Sequence, residues 1–141
     1  MSPESAVAVA ADFVWLGMVV AISFLETPLK FRAPGVTLAI GLGIGRLVFR
    51  ALNACEVVLA VVIVVALVLE PPPALARIAA GVAVLALLIQ VLAVRPRLTK
   101  RSKTVLAGGE GPRSHAHFVY VGFEIVKVVA LLGAGVGLLT P

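Results

Sequence analysis

Four long apolar segments restrict this chain to one kind of fold. Of its 141 residues, 61% are hydrophobic and only 13% are charged, whereas soluble domains carry about 25% charged residues. A soluble chain of this length would have to bury both faces of nearly every element, and it is too small to do so. A helix crosses the hydrocarbon core with about 20 apolar residues. We therefore predict an all-α membrane protein, a single domain of four transmembrane helices in an up-and-down bundle.

The predicted spans differ in how clearly they are bounded. They cover residues 6–25, 46–69, 74–94 and 115–139. No basic residue precedes the first span, as one would in a signal peptide, so we expect a retained helix. The sequence does not fix the residue at which the second span starts. Residues 57–69 are too short to cross alone, so the span takes in part of 45–56, with Arg46 and Arg50 either inside it or at the interface.

Basic residues in the connections predict the orientation. The third connection, 95–114, carries six basic residues against one acidic residue, and Lys30 and Arg32 belong to the same side. Short cytoplasmic connections accumulate Lys and Arg, so we expect both termini outside the plasma membrane. The basic charges suit anionic lipid headgroups. Nucleic acid is not expected as a partner, because these charges lack interleaved aromatic residues.

Two spans carry polar residues along one face each. At about 100° per residue, each set falls within about a third of the helix circumference. Ionisable side chains in a membrane cost at least about 2.5 to 3.5 kcal/mol each at the helix centre and almost always face the bundle interior. The sets are His117, Tyr120, Glu124 and Lys127 on the fourth span, and Arg46, Arg50, Asn53 and Glu56 on the second. We therefore expect the two stripes to meet.

Opposite charges suggest two ion pairs between these stripes, Glu56 with Lys127 and Arg50 with Glu124. The first span adds a polar seam, Asp12, Trp15, Ser23 and Glu26, and the third adds Gln90. We predict a polar pocket in the cytoplasmic half of the bundle, closed on the outer side by Val, Leu and Ala. The candidate substrate or proton site comprises Glu56, Glu124, Lys127, His117, Tyr120, Asn53 and Arg50. We expect no catalytic, cofactor-binding or metal-binding residues.

Each of these polar residues also has a structural interpretation. Interhelical polar contacts hold membrane helices together, at about 0.6 kcal/mol each. Lys127 could instead extend toward the interface, and Arg46 and Arg50 could anchor the second span there. The glycines of "GLGIG", residues 41–45, indicate a flexible helix start or close helix packing rather than a phosphate-binding turn, because no strand precedes them.

The two histidines, His115 and His117, invite a metal or haem interpretation that their spacing does not support. Residues two apart on a helix point about 200° apart, so both cannot bind one metal. No further histidine is present for a bis-histidine haem site. A proton-titrating role for His117 beside Glu124 fits better, since His changes charge near neutral pH. The single cysteine, Cys55, forms no intrachain disulfide and offers no thiolate cluster.

Several short motifs resemble the transmembrane protein 205-like family of small four-helix membrane proteins. They are a Gly in the first span, Pro28 to Phe31 at its end, Gly45 to Phe49, a basic connection, and a His opening the last span. The chain lacks the His-Gly pair that the family would place in the last span. The resemblance implies a membrane bundle, and the association of animal members with drug resistance and trafficking favours transport.

Two functions of different classes follow. As a transporter or permeation component, the protein would use the polar residues as a substrate or proton site, and the small size of one bundle implies a homodimer. As a structural or assembly subunit of a larger membrane complex, it would use them as internal staples. A cofactor-dependent membrane enzyme is a third and less favoured interpretation.

Overall fold

The computed structural model describes residues 1–94, 96, 100 and 116–140, and this part of the chain contains helices and no strands. Four helices are long and apolar enough to cross a membrane. They are α1 (Pro3–Lys30), α2 (Leu38–Leu69), α3 (Ala74–Ile89, continued by the π-helical segment Gln90–Val94) and α4 (Ala116–Leu139). The predicted all-α fold with four membrane-spanning helices is confirmed.

The helices run alternately up and down. One end of the bundle, which we call the terminal end, holds the start of α1, the connection between α2 and α3, and the end of α4. The other, the loop end, holds the connection between α1 and α2 and the start of α4. Helix α1 packs against α2 and α4, and α3 packs closely against α4, whereas α2 and α3 touch only slightly.

The helix boundaries follow from capping residues and prolines. The Ser2 hydroxyl accepts a hydrogen bond from the Ser5 amide at 3.1 Å, and Thr37 does the same for Ile40 at 3.2 Å. Such caps satisfy amide groups that have no partner inside the helix. Helix α2 ends before three consecutive prolines, 71–73, which lack the amide needed to continue it.

Helix α2 begins eight residues before the predicted start at residue 46. The cap at Thr37 places its first turn at Leu38, and its glycines allow it to lie against the end of α1. A Cβ on Gly41 would fall 2.1 Å from the Phe31 ring, and one on Gly45 would fall 3.0 Å from Lys30 Nζ. The run "GLGIG" therefore serves close helix packing. Arg46 and Arg50 lie well inside the helix rather than at its start.

Small residues allow α3 and α4 to pack closely. The seam is lined by alanines of α3 and by Gly133 and Gly137 of α4, which have the Gly-x-x-x-Gly spacing that brings membrane helices together. A Cβ on Gly137 would lie 3.1 Å from the Ala76 amide nitrogen and 3.2 Å from the Ala76 Cβ. Apolar side chains cover the outside of the bundle, as expected for a surface that faces lipid.

We expect Gly137→Val to destabilise the protein by about 1–3 kcal/mol, the usual effect of inserting extra methyl groups into a packed interior. The matched control is Gly122→Val on the same helix, where nothing lies within 4 Å of an added Cβ. The measurement is the free energy of unfolding of both variants in detergent micelles. Equal stabilities for the two variants would contradict the close α3–α4 packing.

Candidate functional site

A lysine held between two carboxylates lies at the centre of the bundle. Lys127 Nζ of α4 is 2.5 Å from Glu56 Oε2 of α2 and 2.6 Å from Glu124 Oε1 of its own helix. The Lys127 and Glu56 side chains are 0% exposed, and that of Glu124 is 2% exposed. The three charged groups are therefore removed from solvent and depend on one another for compensation.

The Glu56 carboxylate is fully hydrogen-bonded. Trp15 of α1 donates its indole N–H to Glu56 Oε2 at 2.7 Å, and Asn53 donates its side-chain amide to Glu56 Oε1 at 3.0 Å. The Asn53 amide also lies 3.3 Å from the Tyr120 hydroxyl. These contacts link α1, α2 and α4 around one carboxylate.

The Glu124 carboxylate is surrounded in the same way from the other side. Gln90 of α3 donates its side-chain amide to Glu124 Oε1 at 2.7 Å and to the Tyr120 carbonyl at 3.2 Å. The Ser23 hydroxyl of α1 donates to Glu124 Oε2. All four helices therefore contribute to one network. We call it the central cluster, and its members are Trp15, Ser23, Asn53, Glu56, Gln90, Tyr120, Glu124 and Lys127.

Two of the donors to Glu124 lie on π-helical turns. Ser23 belongs to the segment Val20–Glu26 within α1, and Gln90 opens the segment Gln90–Val94 at the end of α3. The π-helix is rare, and when it occurs inside an α-helix it frequently marks a functional site. Both wider turns lie beside the same carboxylate, so the helix geometry is adapted to this cluster.

The central cluster lies near the middle of the described length of α4. Lys127 is about 18 Å along α4 from Leu139 and about 16 Å from Ala116, at about 1.5 Å per residue. The hydrocarbon core is about 30 Å thick. The described part of α4 is therefore long enough for a helix centred near Lys127 to cross that core, and the predicted position of the pocket in the cytoplasmic half stays a prediction.

The charges of the cluster do not balance. With both carboxylates ionised, Glu56, Glu124 and Lys127 carry a formal charge of −1. The Gln90 side-chain carbonyl is buried and has no hydrogen-bond donor among the described residues. A buried excess charge is costly in a membrane, and one further positive charge would neutralise it.

Four of the predicted site residues meet here with Lys127, and one prediction is wrong. Glu56 pairs with Lys127 as predicted, and Asn53 and Tyr120 adjoin them. Arg50, however, is exposed and does not reach Glu124, which pairs with Lys127 instead. Arg50 lies about 120° from Glu56 around α2, at about 100° per residue, so its side chain points away from the bundle centre.

The structure does not test the predictions made for His115 and His117. His117 belongs to the first turn of α4, but its side chain lies outside the described part of the structure, as does the whole of His115. Within the described residues, no three His, Cys, Asp or Glu side chains come together as a metal site requires.

Sequence reasoning left Trp15, Ser23 and Gln90 out of the candidate site. The sequence did contain an indication of these residues, because Trp15 and Ser23 belong to the polar seam of α1 and Gln90 is the polar residue of the third span. Their partners depend on helix packing and on the π turns. Of the other seam members, Glu26 lies 3.8 Å from Lys30 near the loop end. Asp12 is buried toward the terminal end and has no hydrogen-bond partner within the described ranges.

Aromatic rings connect Lys30 to the cluster. The Lys30 side chain is only 9% exposed, and its Nζ lies 5.5 Å and 5.8 Å from the ring centres of Phe31 and Phe49. Phe49 in turn meets Tyr120 edge-on, with 5.6 Å between ring centres. Phe49 therefore contacts both Lys30, near the loop end, and Tyr120 of the cluster.

The fold and this cluster define a class, that of small multi-pass membrane proteins with an ionisable network buried within a four-helix bundle. A scan against protein-family models finds no match to the chain, and searches of curated proteins and of solved structures find no significant match either. The resemblance to transmembrane protein 205-like proteins therefore stays a prediction.

Proposed function

We propose that this protein is a proton-binding transport component of the plasma membrane, with both termini outside and the central cluster as its proton site. The observation that carries the proposal is the charge count at Lys127. Two buried carboxylates share one ammonium group, and one proton would neutralise the excess. Ionisable residues at such depth commonly mark proton or ion pathways.

The two carboxylates differ in what a proton would do to them. Glu56 and Lys127 belong to different helices, whereas Glu124 and Lys127 are three residues apart on α4. A proton on Glu56 would leave Lys127 paired with Glu124 alone, and α2 would lose its ion pair to α4. A proton on Glu124 would leave that interhelical pair in place. Proton binding at Glu56 therefore supplies a means of loosening one helix from another, which an alternating-access mechanism requires.

The proposal includes two partners of the bundle, anionic lipid and a second copy of the chain. Anionic lipid headgroups would bind the basic connections on the cytoplasmic side, in accordance with the distribution of Lys and Arg. Because one four-helix bundle offers little room for a translocation path, the working unit would be a homodimer. The resemblance to transmembrane protein 205-like proteins agrees with a transport role.

A structural or assembly subunit is the second candidate, and one observation favours it. Every carboxylate oxygen of Glu56 and Glu124 already accepts a hydrogen bond or ion pair within the bundle. A fully bonded network can serve to fix the arrangement of helices without moving a proton. Under this second proposal, Glu56 and Glu124 would each keep one protonation state across the physiological pH range.

Charge movement after a pH jump tests the proposal. We expect wild-type proteoliposomes on a solid-supported membrane to give a transient current when the external pH is changed, because protons enter a site within the membrane. Glu56→Gln should lose this current. The control is Glu4→Gln, which removes a carboxylate in the first turn of α1 and should leave the current unchanged. A folded wild type that gives no more current than empty liposomes would refute the proton site and leave the structural role.

A further inference from the structure

Asp12 is a buried carboxylate outside the central cluster. Its residue surface is 1% exposed, and neither of its carboxylate oxygens has a hydrogen-bond partner among the described residues. Every other buried charged group of the described chain is paired within the cluster. Asp12 is also the only aspartate in the sequence.

No described residue compensates a charge on Asp12. It packs against α4 at Gly135, where an added Cβ would lie 2.8 Å from Asp12 Oδ2. From residue 128 to 139, α4 has no ionisable side chain.

The four helices carry other ionisable groups whose side chains the structure describes. They include Glu4, Glu26 and Lys30 on α1, Arg46, Arg50 and Glu56 on α2, the exposed Arg77 on α3, and Tyr120, Glu124 and Lys127 on α4. The structure describes no ion pair between Asp12 and any of them. An isolated ionised carboxylate in the membrane interior is strongly disfavoured, so this group requires a bound cation of its own.

We infer that Asp12 is a second proton-binding site, which passes protons between the central cluster and the terminal end of the bundle. Asp12 and Trp15 are three residues apart on one face of α1, about 4.5 Å along the axis, and the Trp15 indole contacts Glu56. Asp12 thus lies one helical turn beyond the cluster toward the terminal end. The relay rests on the proposed proton function, whereas proton binding at Asp12 does not.

Isotope labelling can measure the protonation state of Asp12 without any mutation. Cell-free synthesis with aspartate carrying ¹³C at the side-chain carboxyl would label Asp12 alone, and the infrared spectrum would be recorded in sodium-free liposomes at neutral pH. We expect the ¹³C label to shift the C=O stretch of a protonated carboxylic acid. A shift of the carboxylate stretch instead, or a carboxylate band that changes when sodium is added, would overturn the assignment of a proton.

Asp12→Asn tests the relay separately. In proteoliposomes under a pH gradient, we expect the variant to lose steady proton flux while keeping the proton-linked change at the central cluster, read from Trp15 fluorescence. Unchanged flux in Asp12→Asn would overturn the relay and leave the proposed function intact. A wild type with no flux and no change at Trp15 would refute the proposed function, and with it the relay, while the infrared assignment of Asp12 would stand by itself.

Discussion

Lys127→Met should lower the free energy of unfolding by about 3–5 kcal/mol, the typical effect of removing one partner from a buried ion pair. The methionine would leave Glu56 and Glu124 facing each other without the ammonium group that lies 2.5 and 2.6 Å from them. The formal charge of the cluster would fall from −1 to −2 in a part of the protein with no solvent. The measurement is unfolding in detergent micelles, compared with Lys30→Met, whose lysine lies at the loop end.

A second substitution should restore much of this stability. Glu124→Gln combined with Lys127→Met returns the formal charge to −1, and the remaining Glu56 keeps its hydrogen bonds from Trp15 and Asn53. If the single Lys127→Met variant were as stable as wild type, the charge argument would be wrong. The double variant also separates the two functions. A structural staple predicts a folded and functional protein. A proton site predicts a folded protein with no current after a pH jump, because Glu56 without the ammonium group of Lys127 would keep its proton instead of releasing it.

The emission of Trp15 should change with pH in the wild type and become independent of pH in Glu56→Gln. Trp15 is the only tryptophan in the chain, and its indole N–H donates to Glu56 Oε2 at 2.7 Å. A hydrogen bond to an ionised acceptor is roughly twice as strong as one to a neutral acceptor, so proton binding at Glu56 would alter both this bond and the field at the ring.

The titration would be recorded in lipid bilayers with excitation selective for tryptophan. One proton should describe the wild-type curve, and Glu4→Gln, the same control as above, should reproduce it. Emission that stays constant while circular dichroism shows a folded protein would mean that Glu56 keeps one protonation state throughout. Glu124→Gln provides a second test. Removing this carboxylate should shift the midpoint pH of the Trp15 emission change, whereas the change itself should remain.

Hydrophobicity and helical periodicity were sufficient to predict the four spans and the meeting of Glu56 with Lys127. A chain with long apolar segments must form helices in a bilayer, because only helices satisfy the backbone there within one segment. Charged residues on one face of such a helix must then turn inward. Both statements depend on sequence spacing alone, so they could be made before the helices were placed in space.

Other features of the site depend on how each helix is rotated and where its turns widen. Arg50 lies on the same broad stripe as Asn53, yet it is exposed because α2 turns Glu56, not Arg50, toward the bundle centre. Ser23 and Gln90 reach Glu124 from π turns, which a regular spacing of about 100° per residue does not represent.

The sequence by itself determined that this is a four-span membrane protein with carboxylates and a lysine inside, because the bilayer accepts few other arrangements. Only the tertiary structure decided that Lys127 is shared by two carboxylates and that Asp12 has no partner among the residues that the structure describes. Those outcomes depend on which side chains four packed helices bring within 3 Å of one another. Helix rotation and close approach at small residues such as Gly135 control those distances.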